Sequence, residues 1–197
     1  MAKLASNFKN MVLSLTLVTV VVAVALASVY GATKDTIEEA KAREKQQALA
    51  QVLPAYESLN ERQLGDYPCY DALDKEGNVL ASAVETTTDG FGGVVRVLVG
   101  FDKEDKITNY VVLEQTETPG LGTHMVEWFK NADKPNQNIV GRVANGQLTV
   151  SKDGGEIDAI TAATISSRAF LEAVNKAYIA LKGQDANVES SNEKGDE

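Results

Sequence analysis

The sequence predicts an α+β fold in which one N-terminal transmembrane helix is followed by a single domain built on antiparallel sheet. Three observations support this prediction. Residues 11–32 carry no charged side chain, residues 79–113 contain three β-branched, apolar runs separated by short turns, and residues 166–182 place apolar side chains at helical spacing. Strands joined by short turns pair in antiparallel fashion, and an amphipathic helix needs a partner layer on which to bury its apolar side.

The composition excludes several classes of protein and of functional site. With 197 residues, of which 44% are hydrophobic and 24% charged, the chain suits one globular domain with an appendage. Its net charge of −9 argues against nucleic acid as a partner, because binding to phosphates needs a basic surface. The single cysteine, Cys69, excludes an intrachain disulfide and a cysteine-held zinc or iron–sulfur site made by this chain alone. We therefore predict no metal site.

Residues 11–32 predict a transmembrane helix, because about 20 helical residues at ~1.5 Å each span the ~30 Å hydrocarbon layer of a lipid membrane. Lys3 and Lys9 precede this run, and acidic residues soon outnumber Lys34 after it. The positive-inside rule therefore predicts a cytoplasmic N-terminus at 1–10 and an extracytoplasmic (periplasmic) domain at 33–183, anchored in the inner membrane.

A cleaved signal peptide is the alternative interpretation of the same run. Ala25-Leu26-Ala27 resembles the small-residue pattern of a cleavage site. The apolar run is longer than the ~7–15 residues usual for a signal peptide, which favours an uncleaved anchor.

Between the membrane and the sheet, sequence rich in alanine, glutamate and lysine predicts a second helix. A capping box at Thr36-Ile37-Glu38-Glu39 marks its start, and Pro54 follows its end. Beyond it, three runs with strand character are joined by short turns, as in an antiparallel meander. The predicted strands are residues 79–84, 94–101 and 107–113.

The C-terminal part predicts a hairpin, a helix and a tail. Asn145-Gly146 is a strong hairpin signal, so residues 138–143 and 148–151 are predicted to be its arms. Residues 166–182 have the apolar period of a helix. Residues 184–197 are acidic and polar without such a period, which is typical of a disordered, solvated tail.

Residues 158–167 form the first segment with chemical information. Four hydroxyl residues and several alanines stand immediately before the predicted helix. Hydroxyls and free backbone N–H groups at a helix start can bind an anion, and alanines let a phosphate approach the backbone. The other interpretation is a helix cap, in which Thr164 or Ser166 accepts a hydrogen bond from a nearby N–H.

Residues 114–124 form the second such segment, between the last predicted strand and a short predicted helix at 125–130. Pro119-Gly120 and Gly122 predict a tight loop whose backbone can come close to a flat ligand. The loop is equally suited to a purely structural turn between a strand and a helix. The residues alone leave both interpretations open.

Together with Gly90-Phe91-Gly92-Gly93, these segments resemble a known family: the FMN-binding G subunits of Rnf-type ion-translocating oxidoreductases, which are related to the C subunits of Na⁺-translocating NADH:quinone oxidoreductases. That family has an N-terminal membrane helix and a Gly-aromatic-Gly-Gly segment entering a strand. A Glu-Thr-Pro-Gly-Leu-Gly loop follows, and then an Asp-x-x-Ser/Thr-Gly-Ala-Thr-x-Ser/Thr-Ser element. Here the last two are residues 117–122 and 158–167, in the same order.

The resemblance implies an FMN-binding domain and a function in electron transfer. It implies that FMN is covalently attached, through its phosphate, to the Thr164 hydroxyl by a separate flavin transferase that uses FAD. The chain would then be the electron-carrying subunit of a ferredoxin:NAD oxidoreductase complex without catalytic residues of its own, and other subunits of the complex would bind ferredoxin and NAD. The further residues implied to lie near the isoalloxazine ring or in the recognition element are Glu117, Thr118, Leu121, Gly122, Asp158, Thr161, Ser166 and Ser167.

One residue departs from the family pattern, and two other functions remain open. The family has glycine where this chain has Ala162; if that position needs a positive φ, alanine costs about 1 kcal/mol or more. The equivalent subunit of a quinone-reducing sodium pump is one alternative. The other is a non-catalytic, membrane-anchored scaffold in which Thr164 only caps a helix.

Overall fold

The structure is a computed structural model that describes residues 7–192, with side chains described as far as Gly183. It contains three α-helices, five β-strands and two short 3₁₀ turns at Gly122–His124 and Ser151–Asp153. The helices and strands in chain order are α1 (Phe8–Val52), β1 (Ser58–Leu64), β2 (Tyr67–Leu73), β3 (Val79–Asp89), β4 (Val94–Asp102), β5 (Ile107–Glu114), α2 (Met125–Trp128) and α3 (Thr164–Asn192).

The part of α1 up to Glu44 is a compact unit by itself, and the chain from Lys45 onward is a second one. In the first unit α1 is long and apolar enough to cross a membrane, and its apolar side chains are exposed. Four of its hydroxyl side chains bond back to carbonyl oxygens one turn earlier, which satisfies these four groups in an apolar solvent. The acceptors are the carbonyls of Asn10 for Ser14, Leu15 for Thr19, Val24 for Ser28 and Val29 for Thr33.

The second unit is built on one five-stranded antiparallel sheet in which every strand pairs with the next along the chain. The turn between β4 and β5 shows why the connections are short: the Asp102 N–H donates to the Lys106 carbonyl, and the Asp102 carboxylate accepts from the N–H groups of Glu104 and Lys106. The predicted α+β architecture with an antiparallel meander is thereby confirmed, and three predicted strands are β3, β4 and β5.

Each face of the sheet carries its own apolar core. On one face the end of α1, including Leu49 and Val52, packs on small residues such as Ala83. The last carbonyls of α1 accept hydrogen bonds from side chains of β5: Thr108 Oγ1 donates to the Val52 carbonyl over 2.5 Å, and Asn109 Nδ2 to the Gln51 carbonyl over 3.0 Å. Side chains from the strand therefore cap the helix end.

On the other face α3 covers β3 and β4 through a larger core that is rich in aromatic residues. Phe170 of α3 stacks on Phe129 at 4.5 Å between ring centroids, and Tyr110 meets Phe170 edge-on at 4.7 Å. Thr86 Oγ1 in the sheet donates to the Ala173 carbonyl of α3 over 2.9 Å. These contacts fix the start of α3 relative to the loops that follow β3 and β5.

The predicted hairpin around Asn145-Gly146 is wrong. Gly146 has a positive φ of 71°, as a turn glycine does, but the two predicted arms do not pair. The first arm bonds to the start of β5, where Ile107 exchanges hydrogen bonds with Gly141 and Arg142. In the second arm, the Asn175 side chain of α3 binds both the N–H and the carbonyl of Leu148. Competing tertiary partners therefore take the bonds that a hairpin would make.

Three further differences concern the helices and the first strands. The helix predicted to begin at Thr36 is part of α1, which runs without a break to Val52. Strands β1 and β2 precede the predicted meander and extend the sheet. Helix α3 begins two residues earlier than predicted and continues to Asn192. The predicted tail at 184–197 thus overlaps the end of α3, and its last residues, 193–197, lie outside the described residues, as does most of the predicted cytoplasmic segment.

Candidate functional site

A groove of about 390 Å³ lies where three segments meet: the turn between β3 and β4, the loop after β5 and the start of α3. Its lining combines exposed apolar side chains with small and hydroxyl residues. The lining residues are Phe91, Thr118, Leu121, Gly122, Ala162, Ala163, Thr164, Ile165 and Ser166. Two segments singled out in the sequence, the loop after β5 and the turn before α3, therefore meet at one place.

Glu117 joins the three segments from beneath the groove. Its side chain is buried, at 4% exposure, although it carries a carboxylate. One carboxylate oxygen accepts from the Gly92 N–H over 3.1 Å, and the other accepts from Ser166 Oγ over 2.6 Å. The family resemblance implies a position of Glu117 near the ring of a flavin. In the structure its side chain lies behind the lining residues and joins their segments by hydrogen bonds.

Gly122 stands where no side chain fits. A Cβ built on it would lie 2.6 Å from both Glu117 Oε2 and Ser166 Oγ, well inside van der Waals contact. Gly92 is similarly close to the Thr116 carbonyl, and Thr116 Oγ1 donates to the Gly92 carbonyl over 3.1 Å. The glycines of the two motifs therefore permit the close approach of these backbones, as glycine does wherever a Cβ would clash.

The turn before α3 has the backbone conformation that the family glycine suggested. The Ala163 N–H donates to the Ile160 carbonyl over 3.0 Å, which closes a four-residue turn. Ala162 is the third residue of that turn and has a φ of 60°. A positive φ at this position favours glycine, so the alanine stores conformational strain at the edge of the groove.

The hydroxyls of Ser166 and Ser167 have different structural functions. Ser167 is fully buried; it accepts from the Ile160 N–H over 2.9 Å and donates to the Ala163 carbonyl over 2.9 Å. It therefore closes the turn before α3 and does not reach the groove. Ser166 lines the groove with its backbone and turns its hydroxyl down to Glu117.

Thr164 is the first residue of α3 and lines the groove with a half-buried side chain. Its hydroxyl oxygen accepts a hydrogen bond of 3.0 Å from the Lys152 ammonium group. Lys152 belongs to the 3₁₀ turn Ser151–Asp153, whose next residue, Asp153, accepts two hydrogen bonds of 2.6 Å from the Arg168 guanidinium. Those hydrogen bonds hold the pKa of the Asp153 carboxyl below its ordinary value.

Asp158 and Thr161 lie outside the groove. The Asp158 backbone is held by its N–H to the Asn136 carbonyl, at 2.7 Å, and by its own carbonyl to the Trp128 indole N–H, at 2.8 Å. Its carboxylate faces Ser151 Oγ at 3.5 Å. Thr161 is exposed in the turn before Ala162. Of the nine residues expected at the site, five line the groove: Thr118, Leu121, Gly122, Thr164 and Ser166.

Site residues that were not predicted from the sequence include Phe91 and Ile165, which line the groove, and Lys152, which contacts Thr164. Phe91 lines the groove and is 66% exposed, an uncommon position for a large apolar ring. Ile165 is 52% exposed beside Thr164. Lys152 reaches Thr164 from twelve residues away. For Phe91 the signal was present, since it is the aromatic residue of the Gly-aromatic-Gly-Gly motif; for Lys152 no local pattern marked it.

Two family models match the chain. The model of the FMN-binding domain matches residues 90–179, which include all three segments of the groove. The model of the RnfG N-terminal region matches residues 1–52, which include α1. Both matches agree with the family that the sequence motifs resemble.

Curated relatives agree with these matches. The chain is 32% identical over 182 residues to the G subunit of the ion-translocating oxidoreductase complex of Shewanella amazonensis, covering 82% of each chain. It is 28% identical to the subunit of the same name from Methanosarcina acetivorans, over 89% of this chain and 95% of that one.

The fold of the chain resembles that in the crystal structure of the C subunit of the Na⁺-translocating NADH-quinone reductase from Parabacteroides distasonis. The TM-score is 0.53 at 16% identity, with 72% of this chain and 89% of that chain covered. This likeness concerns the fold alone, and it confirms the predicted α+β class. Motifs, family models and relatives together show that the chain belongs to the family of G subunits of the ion-translocating oxidoreductase complexes, with the FMN-binding domain of that family.

Proposed function

We propose that this chain is the electron-transfer subunit of a membrane-bound ferredoxin:NAD oxidoreductase that moves ions, and that it carries FMN in phosphoester linkage to Thr164. The observation that supports the attachment most directly is the position of the Thr164 hydroxyl. It opens on the groove at the start of α3, beside an ammonium group. Other subunits of the complex bind ferredoxin and NAD, since this chain has no iron–sulfur ligands and no dinucleotide-binding motif.

The groove fits the chemistry of the flavin mononucleotide. Its volume of about 390 Å³ lies within the range of pockets that hold small ligands. Phe91, Leu121 and Ile165 supply apolar surface for a flat ring, and the free N–H groups of the first turn of α3 face negative charge favourably. FMN supplies the electron-accepting and electron-donating chemistry, while the protein residues bind it and shield it from water.

Attachment needs a flavin transferase and FAD as the flavin donor. In that reaction the Thr164 oxygen forms a bond to the phosphorus next to the ribityl chain, the pyrophosphate bond of FAD breaks, AMP leaves, and the hydroxyl proton passes to the solvent. A covalently bound flavin remains in place outside the cytoplasm, where a dissociated one is diluted away. Full occupancy then needs no tight noncovalent affinity.

A denaturing gel tests the attachment. The full chain is co-expressed with the flavin transferase, and flavin fluorescence is recorded after denaturation. Wild type should fluoresce, Thr164→Val should not, and the matched control Thr87→Val should fluoresce like wild type, because Thr87 is an exposed residue of β3 that lies outside the groove and outside the recognition element. The mass of the Thr164 peptide should exceed its amino-acid mass by that of one FMN less one water. A colourless wild-type band would instead support the scaffold interpretation.

The proposal also places the second unit outside the cytoplasm, with α1 as an uncleaved anchor in the lipid bilayer. The lysines before the apolar run and the acidic residues after it support that orientation. Lys103→Cys in the exposed β4–β5 turn provides a test, because the native Cys69 is buried and should not react with a maleimide in the folded protein. A membrane-impermeant maleimide should label Lys103→Cys in intact cells with a permeable outer membrane. Labelling only after the inner membrane is broken would reverse the proposed orientation.

The activity of the whole complex needs the intact assembly. Membranes should be solubilised, the complex purified through this chain, and its subunits identified by mass spectrometry. Reduction of NAD by reduced ferredoxin should occur with wild type and be lost with Thr164→Val. Reduction of a quinone in place of NAD would favour a complex of the sodium-pumping NADH:quinone type.

A further inference from the structure

We propose that Lys152 is the counter-charge of the phosphodiester that joins FMN to Thr164, and that the ion pair between Asp153 and Arg168 holds it in that position. This inference rests on the proposed covalent attachment. It assigns to the 3₁₀ turn Ser151–Asp153 a function in binding the phosphate group, whereas the groove itself binds the rest of the flavin.

The geometry at Thr164 supports the first part. The Lys152 ammonium donates to the Thr164 hydroxyl oxygen over 3.0 Å. That same oxygen becomes the bridging oxygen of the ester, so the two non-bridging phosphate oxygens are attached one atom further on. A phosphodiester carries one negative charge on those oxygens, and an ammonium group has three donors. A small rotation of the lysine side chain therefore replaces a hydrogen bond to a neutral hydroxyl by a hydrogen-bonded ion pair with an anionic phosphate oxygen.

The function of the Asp153–Arg168 ion pair follows from the spacing of residues on α3 and in the 3₁₀ turn. Thr164 and Arg168 are four residues apart on α3, so they lie on the same side of the helix. Lys152 and Asp153 are adjacent in the 3₁₀ turn, and each contacts one of them. The Asp153–Arg168 contact uses both carboxylate oxygens and two guanidinium nitrogens, which fixes orientation as well as distance.

The charges around the site leave Lys152 available. Arg168 neutralises the Asp153 carboxylate, which is the nearest acidic neighbour along the chain. Within the part of the chain that the structure describes, Lys152 makes no ion pair with a carboxylate, and its side chain is exposed. The first turn of α3 adds the partial positive charge of a helix start at the same point. Both contributions favour an anion on Thr164.

A structural function of the Lys152 contact is a poor alternative explanation. A hydrogen bond from an exposed lysine to a hydroxyl adds little to stability, because water replaces it readily. The contact that stabilises the 3₁₀ turn against α3 is the neighbouring ion pair. The lysine therefore gains a strong interaction only when the hydroxyl carries an anion.

The phosphorus-31 NMR spectrum of the loaded chain tests the proposal. The full chain is loaded by the flavin transferase with FAD and studied in a phosphorus-free detergent. We compare wild type with Lys152→Met, Lys152→Arg and the control Lys103→Met, which removes an exposed lysine at the opposite end of β4. The diester resonance should shift in Lys152→Met, return toward wild type in Lys152→Arg, and stay unchanged in Lys103→Met.

The initial rate of loading gives a second measurement. Lys152→Met should load about two- to fivefold more slowly, which is the effect of losing an exposed ion pair, and Lys152→Arg should recover most of the rate. An unchanged resonance in loaded Lys152→Met overturns the proposal whatever its rate. If Lys152→Met cannot be loaded, recovery in Lys152→Arg supports the charge, and failure of both variants overturns it.

Failure of the underlying function has a different signature. In that case wild type itself shows no diester resonance, and its Thr164 peptide has only its amino-acid mass. That result overturns the covalent attachment and this inference together. A normal wild-type resonance with no response to Lys152 overturns this inference alone.

Discussion

Glu117 and Ser166 share a buried hydrogen bond of 2.6 Å that ties the loop after β5 to the first turn of α3. The second carboxylate oxygen of Glu117 binds the Gly92 N–H of the β3–β4 turn. One side chain thus connects three segments that are far apart in the sequence. Because a buried polar group without a partner is costly, each of these bonds contributes to holding the groove in shape.

Replacing Glu117 by glutamine should destabilise the second unit. The amide is neutral and has an NH2 group in place of one carboxylate oxygen, so one of the two charge-assisted hydrogen bonds is lost or replaced by a weaker one in which Ser166 must accept. We expect the free energy of unfolding to fall by about 1–3 kcal/mol, measured by urea titration of the full chain in detergent. The control Glu114→Gln removes a carboxylate from the exposed end of β5 and should change it by less than about 1 kcal/mol. Equal losses in both variants would contradict this function of Glu117.

Replacing Ala162 by glycine should stabilise the protein. The φ of 60° at Ala162 is unfavourable for alanine and acceptable for glycine. Part of the gain is offset by the greater freedom of glycine in the unfolded chain, so we expect about 0.5–1 kcal/mol and a rise in Tm of about 2–4 °C. The control Ala169→Gly, within α3, should instead lower the free energy of unfolding by about 1 kcal/mol. A lower Tm for Ala162→Gly would show that the alanine is not strained.

The thiol of Cys69 should be inert in the folded protein. Burial raises its pKa to about 12, and the nearby Asp71 carboxylate contributes to the rise. Hardly any thiolate is then present at neutral pH, and the sulfur is fully covered. An aromatic disulfide reagent should react with the urea-unfolded chain at once and with the native chain only as fast as the chain unfolds. Rapid reaction of the native thiol would contradict the burial.

The ion pair between Asp153 and Arg168 should persist to low pH. The Arg168 guanidinium lowers the pKa of the Asp153 carboxyl from its ordinary value of 3.8. A carboxyl whose pKa is depressed on folding contributes stability above the ordinary value, and this stability is lost as the pH falls through the lower, folded value. Carbon-13 NMR of the Asp153 carboxyl should therefore show a midpoint below 3.8. Arg168→Gln should raise that midpoint; an unchanged midpoint would show that Arg168 is not the cause.

The three central strands could be predicted because their residues carry the pattern by themselves. In β4, Val95, Val97 and Val99 point to one core, and the short turn at Asp102 determines the pairing with β5. Strand β1 lacks such a pattern: it is a polar, mostly exposed edge strand that exists through its pairing with β2. Strand β2 contains Pro68, which lowers strand propensity. Both strands form through tertiary pairing, which local sequence does not reveal.

The site was predictable as far as its motifs are local. Thr118, Leu121 and Thr164 line one groove because their motifs directly follow β5 and precede α3. The depth of each side chain was not predictable: Glu117 lies beneath the groove and Ser167 closes a turn. Lys152 could not be found, because its position depends on how the chain folds between β5 and α3, where few regular hydrogen bonds repeat.

The contacts of Glu117 bear on whether the chain folds before or after flavin attachment. Hydrogen bonds within the polypeptide join Glu117 to Gly92 and to Ser166. The groove can therefore take its shape without a bound flavin. For the flavin attachment that we propose at Thr164, we therefore expect the flavin transferase to act on the folded chain. The transferase should not modify Thr164 in a nascent or unfolded chain, although the same threonine is present there.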